Sequence, residues 1–218
     1  MEYVLLVTYH FTRFTQAYAT RTKSSKAAAT KLFHEYIPKF GFPARIHHDR
    51  DKAFNSSLFQ ELHRLAGVRM SNTTPYHPMG NGEVERMNRT LINMLKSLPE
   101  GQKTKWKDHL SNLVFAYNST VHKSTGYSPF FLTFGREARL PVDCLLPIEP
   151  NQTTCQTYDQ FVKEWKKSMQ QAFQIANQHI EQAGKANKQR YDSKVKTVKI
   201  EVGDQVLVQN MEKEGQVN

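Results

Sequence analysis

The apolar positions of this chain change period along its length, and each period predicts a different element. Residues 3–9 are a nearly unbroken run of β-branched, aliphatic and aromatic side chains, and residues 11–19 alternate loosely. The two stretches read as consecutive strands of a hairpin. Ser24-Ser25 then offers an N-cap to a helix over residues 26–40. There Ala28, Leu32, Phe33, Tyr36 and Ile37 recur at helical spacing, and Gly41 supplies a stop. Pro43 precedes a short strand, 44–48, whose end delivers Asp49. Asn55-Ser56-Ser57 caps a second helix running through Ala66 and stopped at Gly67, and a further strand spans 68–72. Strand, helix and strand in this order predict an α/β fold.

Residues 73–82 contain two prolines and two glycines and read as a loop of uneven stiffness. From Glu83 a helical period returns: Val84, Met87, Leu91, Met94, Leu95 and Leu98 share one stripe, while Arg86, Arg89, Asn93 and Lys96 face away. Glu85 lies beside that stripe, with Asn88 and Arg89 one turn above it, where they could hold phosphates. A further helix is expected over 106–119, and Gly126-Tyr127-Ser128-Pro129 introduces a short apolar segment, 130–134.

Residues 147–157 hold two prolines and three threonines and mark a linker. Beyond it, Phe161, Trp165, Met169, Phe173, Ala176 and Ile180 fall at three- or four-residue steps, which predicts a long helix over 158–191 with one apolar face. Residues 198–208 alternate as strand, turn and strand, the opening of a small β-barrel. The expected organisation is a core over 1–146, a linker over 147–157, a helical connector with a basic end over 158–197, and the start of an incomplete SH3-like barrel over 198–218.

Charge adds a partner to this outline. Thirty Lys and Arg against twenty Asp and Glu give a net +10, and residues 1–150 carry +8 of it. Such an excess suits a polyanion, because each phosphate neutralised releases counterions and adds sequence-independent affinity. Solubility alone is the competing reading. Residues 185–199 carry six Lys or Arg against Asp192 alone, and read either as an arm that tracks a phosphate backbone or as a solvated linker.

Cys144 and Cys155 stand eleven apart, without a CxxC pair or a His-rich partner set, so neither a zinc site nor a disulfide framework is expected. His47, His48 and His77 do not have the spacing of a ligand set. The apolar run after Met1 lacks a basic leader and is far too short to span a bilayer, so a nuclear or cytoplasmic protein without a membrane partner is expected.

The residue pair with the most chemistry is Asp49, at a strand end, and Glu85, on the first turn of a helix, with 35 residues between them. Hard Mg²⁺ prefers oxygen ligands and usually takes one or two protein carboxylates plus phosphate and water. Taken alone, Asp49 would more often cap the next turn, and Arg86, Arg89 and Lys96 would be an ordinary solvated helix face. The aromatic stripe from Phe161 to Phe173 reads as packing or self-association.

Longer strings raise the functional reading. Val7 to Phe14 reads Val-Thr-Tyr-His-Phe-Thr-Arg-Phe, Gly41-Phe42-Pro43 leads to Asp49, and residues 76–88 read Tyr-His-Pro-Met-Gly-Asn-Gly-Glu-Val-Glu-Arg-Met-Asn. With Ala116-Tyr117-Asn118, Thr125-Gly126-Tyr127-Ser128-Pro129 and Val202-Gly203-Asp204-Gln205-Val206-Leu207-Val208, these resemble the integrase of gypsy-type LTR retrotransposons and its host-domesticated derivatives, within the retroviral integrase family.

The resemblance implies an RNase H-like core in which three carboxylates hold two Mg²⁺ (or Mn²⁺) ions. Asp49 and Glu85 match the second and third, as catalytic and metal-binding residues. It places Tyr76, His77, Asn81, Gly82, Arg86, Asn88, Arg89 and Lys96 against nucleic acid. The family's first catalytic Asp is expected on a strand preceding Tyr3 that this chain lacks. That strand would lie between those containing Tyr3 and Ile46, so the expected fold is an RNase H-like core without its first strand. Its loss would leave two unpaired strand edges. Tyr9 stands where similar proteins usually carry Asp, and Asp51 where Gly usually follows the second catalytic Asp.

Three functional readings stay open at this point. The first is a DNA-binding integrase core that joins DNA ends to target DNA by Mg-assisted strand transfer. The second is a catalytically inactive, domesticated or decayed relative acting in DNA binding or assembly. The third is a fragment of a longer, intact product. The implied partners are DNA and further copies of the chain, with no small-molecule substrate.

Overall fold

The computed structural model describes residues 3–48, 56, 60, 64, 66–72, 82–145 and 157–193. The chain divides into two compact units, Met1–Ile180 and Glu181–Asn218.

Strands β1 (Tyr3–Thr8) and β2 (Thr15–Thr20) form an antiparallel hairpin in the register Tyr3↔Thr20 to Thr8↔Thr15. β1 is apolar from Val4 to Val7 because both of its faces are covered there. Leu5 and Val7 pack on Ala28, Ala29 and Leu32, while Val4 and Leu6 pack on the other side with Met87, Leu91, Leu110 and Val114. Alternate side chains of one strand thus feed two cores, and the hairpin is the middle of three layers.

The expected strand over 11–19 begins only at Thr15. Residues 9–14 instead form a tight turn, in which Tyr9 N–H donates to Phe14 O at 2.8 Å and Arg13 N–H to Tyr9 O at 2.9 Å. Arg13 takes φ 65°, left-handed backbone that interrupts a pleat. The loose alternation across 11–14 therefore belongs to a turn whose Phe11 leaves the sheet altogether. It packs edge-on against Phe173, centroids 5.3 Å apart.

Ser24 caps α1 (Ser25–Lys31), its hydroxyl accepting from Ala27 N–H at 3.2 Å. The helix widens into a π-helical segment, Leu32–Tyr36, before α2 (Ile37–Phe40) and the stop at Gly41, φ 77°. Pro38 supplies the reason. Its ring would strike the carbonyl four residues back in a regular helix, and a wider turn makes room.

β3 (Arg45–His48) and β4 (Arg69–Asn72) pair in parallel, Arg45↔Arg69 to His48↔Asn72. Parallel pairing requires a crossover, and within it Gln60, Arg64 and Ala66 are helical. Met70 and Ala66 join Leu5 and Val7 on the α1 cluster. Among the described residues, no ladder joins the β1–β2 sheet to the β3–β4 sheet. The order of strands and helices makes this an α/β structure, as expected.

The second core is helical. α3 (Gly82–Lys96) contributes Met87 and Leu91, and α5 (Trp106–Ser119), which follows the short α4 (Glu100–Lys103), contributes Leu110 and Val114. The short apolar segment is a helix, α6 (Pro129–Phe134). Ser128 caps it, accepting from Phe131 N–H at 3.0 Å, and Gly135 ends it at φ 69°. A 3₁₀ turn, Pro141–Cys144, follows.

The long helix α7 (Tyr158–Asp192) lays Ala172 and Ala176 on Leu132, with Phe11, Tyr127 and Phe131 around them. Its buried side chains, Met169, Ala172 and Ala176, run along one stripe. Phe161, Trp165 and Phe173 of the expected apolar face stay partly exposed. The small residues, not the aromatics, let this helix approach closely. The expected barrel over 198–218 lies outside the described residues, as does the linker from 147 to 156.

Candidate nucleic-acid and metal site

β3 ends at His48, so the chain passes directly from a sheet into Asp49, which itself lies outside the described residues. Tyr76, His77 and Asn81 lie outside them too. Gly82 is the first residue of α3, and Glu85 follows in its first turn.

The anchoring of α3 decides what its other side presents. Met87 and Leu91, four apart, are buried against β1 and α5. Glu85, Arg86, Asn88, Arg89 and Lys96 are all exposed. One helix face therefore carries a carboxylate at its first turn and a run of cationic and amide groups above it. Two acidic residues, Glu83 and Glu85, stand in that first turn, where the positive end of the helix favours negative charge. Arg86 folds back towards Gly82.

A second polar group sits beneath this turn, and neither the period nor the resemblance pointed to it. Arg13 is 5% exposed and forms an ion pair with Glu83. The exposed His10 brings its Nδ1 to 3.3 Å from the same Glu83 oxygen. Arg13 Nε and Nη1 find no hydrogen-bond partner among the described residues, so Glu83 meets the guanidinium as an ion pair. Burial lowers the Arg13 pKa, and the nearby Arg86 charge adds to that. Burial also lowers His122, with Arg13 and Arg86 contributing, and raises Tyr117, against which Arg13 acts. Arg13, Arg86, Tyr117 and His122 thus feel one another electrostatically. Arg13 stands in Phe11-Thr12-Arg13-Phe14, inside the loosely alternating stretch that predicts a strand.

Carboxylate oxygens are the donors that Mg²⁺ takes, and Glu85 offers a pair of them to solvent. Among the described residues, no three His, Cys, Asp or Glu side chains converge as a metal-ligand group. No helix among them is long and apolar enough to cross a membrane.

No protein-family model matches the chain. It is 31% identical over 211 residues, 96% of its length, to the retrovirus-related Pol polyprotein of transposon 412 from Drosophila melanogaster, covering 17% of that polyprotein. The chain belongs to the integrase family of retroviruses and retrotransposons. The Pro-Pol polyprotein of feline foamy virus is 32% identical over 175 residues, 79% of this chain and 14% of that one. The chain thus spans less than a fifth of the length of these curated relatives. A partial likeness extends to the simian T-cell lymphotropic virus intasome, at a TM-score of 0.49 and 23% identity. It covers 64% of this chain and 54% of that one.

Within the family, the described structure accounts for where Glu85, Arg86, Asn88, Arg89 and Lys96 stand: together, on the solvent side of one helix. It brings Gly82 to the same end.

Proposed function

We propose that this chain is a DNA-binding integrase core of gypsy type, built for strand transfer assisted by Mg²⁺. The observation that carries the reading is the exposed first turn of α3, where Glu85 is presented to solvent one turn below Asn88 and Arg89. A carboxylate and phosphate-binding groups one turn apart suit a metal ion shared between protein and DNA backbone.

Asp49 and Glu85 would hold Mg²⁺ (or Mn²⁺), which when bound polarises phosphate oxygens and activates the attacking hydroxyl. Arg86, Asn88, Arg89 and Lys96 bind and orient the phosphate backbone, and Tyr76, His77, Asn81 and Gly82 extend that contact into the preceding loop. Such contacts set register on DNA and carry little sequence information. Self-association of the chain on DNA ends belongs to the same reading.

A non-catalytic DNA-binding or assembly role is the second reading. Tyr9 favours it: the residue is 55% exposed where similar proteins usually carry Asp, a departure close to the site although that Asp is not one of the three metal ligands.

The deciding experiment is joining of labelled DNA ends to target DNA by the full chain, titrated with Mg²⁺ or Mn²⁺. Joining that Glu85→Gln and Asp49→Asn both abolish, with DNA binding retained, is the expected result. Binding without joining at any metal concentration would leave the assembly role.

A further inference from the structure

We infer that Arg13 is a positioning residue for Glu85, setting the first turn of α3 in one rotational state through its ion pair with Glu83. The inference rests on the reading of Glu85 as a metal-binding carboxylate.

Arg13 stands in the turn between β1 and β2 at φ 65°. A glycine would take this backbone without strain, whereas a side chain there is disfavoured and has to be offset by what it does. The side chain is 6% exposed, so its charge is shielded from water and depends on a partner. Glu83 supplies that partner from the first turn of α3, at 29% side-chain exposure. The hairpin turn and the helix start are thereby tied at a single point.

The first turn of a helix is where such a tie matters. Its N–H groups have no acceptors within the helix, so it frays first. Gly82, the first residue of the helix, restricts the backbone little. Successive residues turn by about 100°, so Glu83 and Glu85 project about 200° apart. With Glu83 held on the hairpin, Glu85 is directed to the opposite, solvent side, where it is exposed. Met87 and Leu91 anchor the helix further along but lie beyond this turn. Without Arg13 the later turns keep their place and the carboxylate loses its direction. DNA affinity, spread over several exposed cations, changes little.

Hydrogen–deuterium exchange and DNA joining on the full chain test this together. Arg13→Met should raise exchange of the amides of residues 86–89, which donate to the first-turn carbonyls of α3, about tenfold while α5 exchanges as in wild type. Glu83→Gln should do the same, and it carries the test if Arg13→Met fails to fold. In the joining assay, kcat should fall at least about tenfold with KM for the DNA end nearly unchanged, and Arg13→Lys should restore part of it. Unaltered exchange of those amides in both variants overturns the proposal. So does a loss confined to KM, or one that Arg13→Lys does not relieve. If wild type joins no DNA at any Mg²⁺ or Mn²⁺ concentration, the reading of Glu85 fails, and exchange alone still supports or overturns the tie between Arg13 and the first turn.

Discussion

Asn118 closes β2 where, among the described residues, no further strand lies beside it: its Oδ1 accepts from Thr15 N–H at 2.9 Å and its Nδ2 donates to Thr15 O at 2.8 Å. A side-chain amide on α5 thus supplies both halves of a backbone pairing to the first residue of β2. Both residues are buried, so the four groups have no water to fall back on. Asn118→Ala should lower stability by about 2–3 kcal/mol, because a buried donor and acceptor are both orphaned. Asn118→Asp retains the acceptor only and should also destabilise. Urea midpoints at constant m-value are the measure.

Gly135 stops α6 at φ 69°, and a Cβ there would lie 2.5 Å from Trp165 Nε1. Gly135→Ala is therefore expected to destabilise through both backbone strain and the indole clash, by roughly 1–3 kcal/mol. In a Trp165→Ala background the clash is gone and only the strain remains. Thermal unfolding of the two singles and the double should be non-additive in that direction.

Tyr18 is buried, and its hydroxyl finds no partner among the described residues. Burial first, then the charge of Glu35, pushes its pKa up to about 12, from an ordinary 10.0. The unfolded chain ionises first as pH rises, so stability is intact below the ordinary value and lost as pH climbs through the raised one. Thermal midpoints should fall across that window, and Tyr18→Phe should flatten part of the fall. Tyr36 and Tyr117, also raised by burial, add to the fall in the same direction.

His122 gives the acid counterpart. Its pKa is lowered from 6.5, by burial first and then by Arg13 and Arg86. The folded state holds it neutral, so its contribution is present above the ordinary value and lost as pH falls. Arg13→Met should move the NMR titration midpoint of His122 upward, since it removes a positive neighbour.

The exposed cations of α3 should act on DNA as phosphate contacts. Arg86→Ala, Arg89→Ala and Lys96→Ala are each expected to weaken binding similarly on unrelated sequences. Each should also reduce the slope of log K against log salt by about 1. Fluorescence anisotropy over a salt series would show it, and a sequence-selective loss would point to base contact instead.

Local features were legible from sequence wherever the deciding interaction is local. The Ser24 cap, the Gly41 stop, and the period that separates Met87 and Leu91 from Glu85, Arg86 and Arg89 all depend on residues within a turn or two. The strings around residues 7–14, 41–49 and 76–88 identified the family for the same reason, since each is contiguous. What the tertiary structure alone decided is where long polar and apolar reaches end. The Asn118 amide meets Thr15 across 103 residues of chain, and Arg13 reaches Glu83 from another layer. The small side chains of Ala172 and Ala176 let α7 approach closely, with Phe173 edge-on to Phe11 and Trp165 beside Gly135. A period of 2 or 3.6 says which face a side chain takes, but a buried charge or amide is satisfied by whatever the fold brings opposite it, and that is set by the packing of the layers.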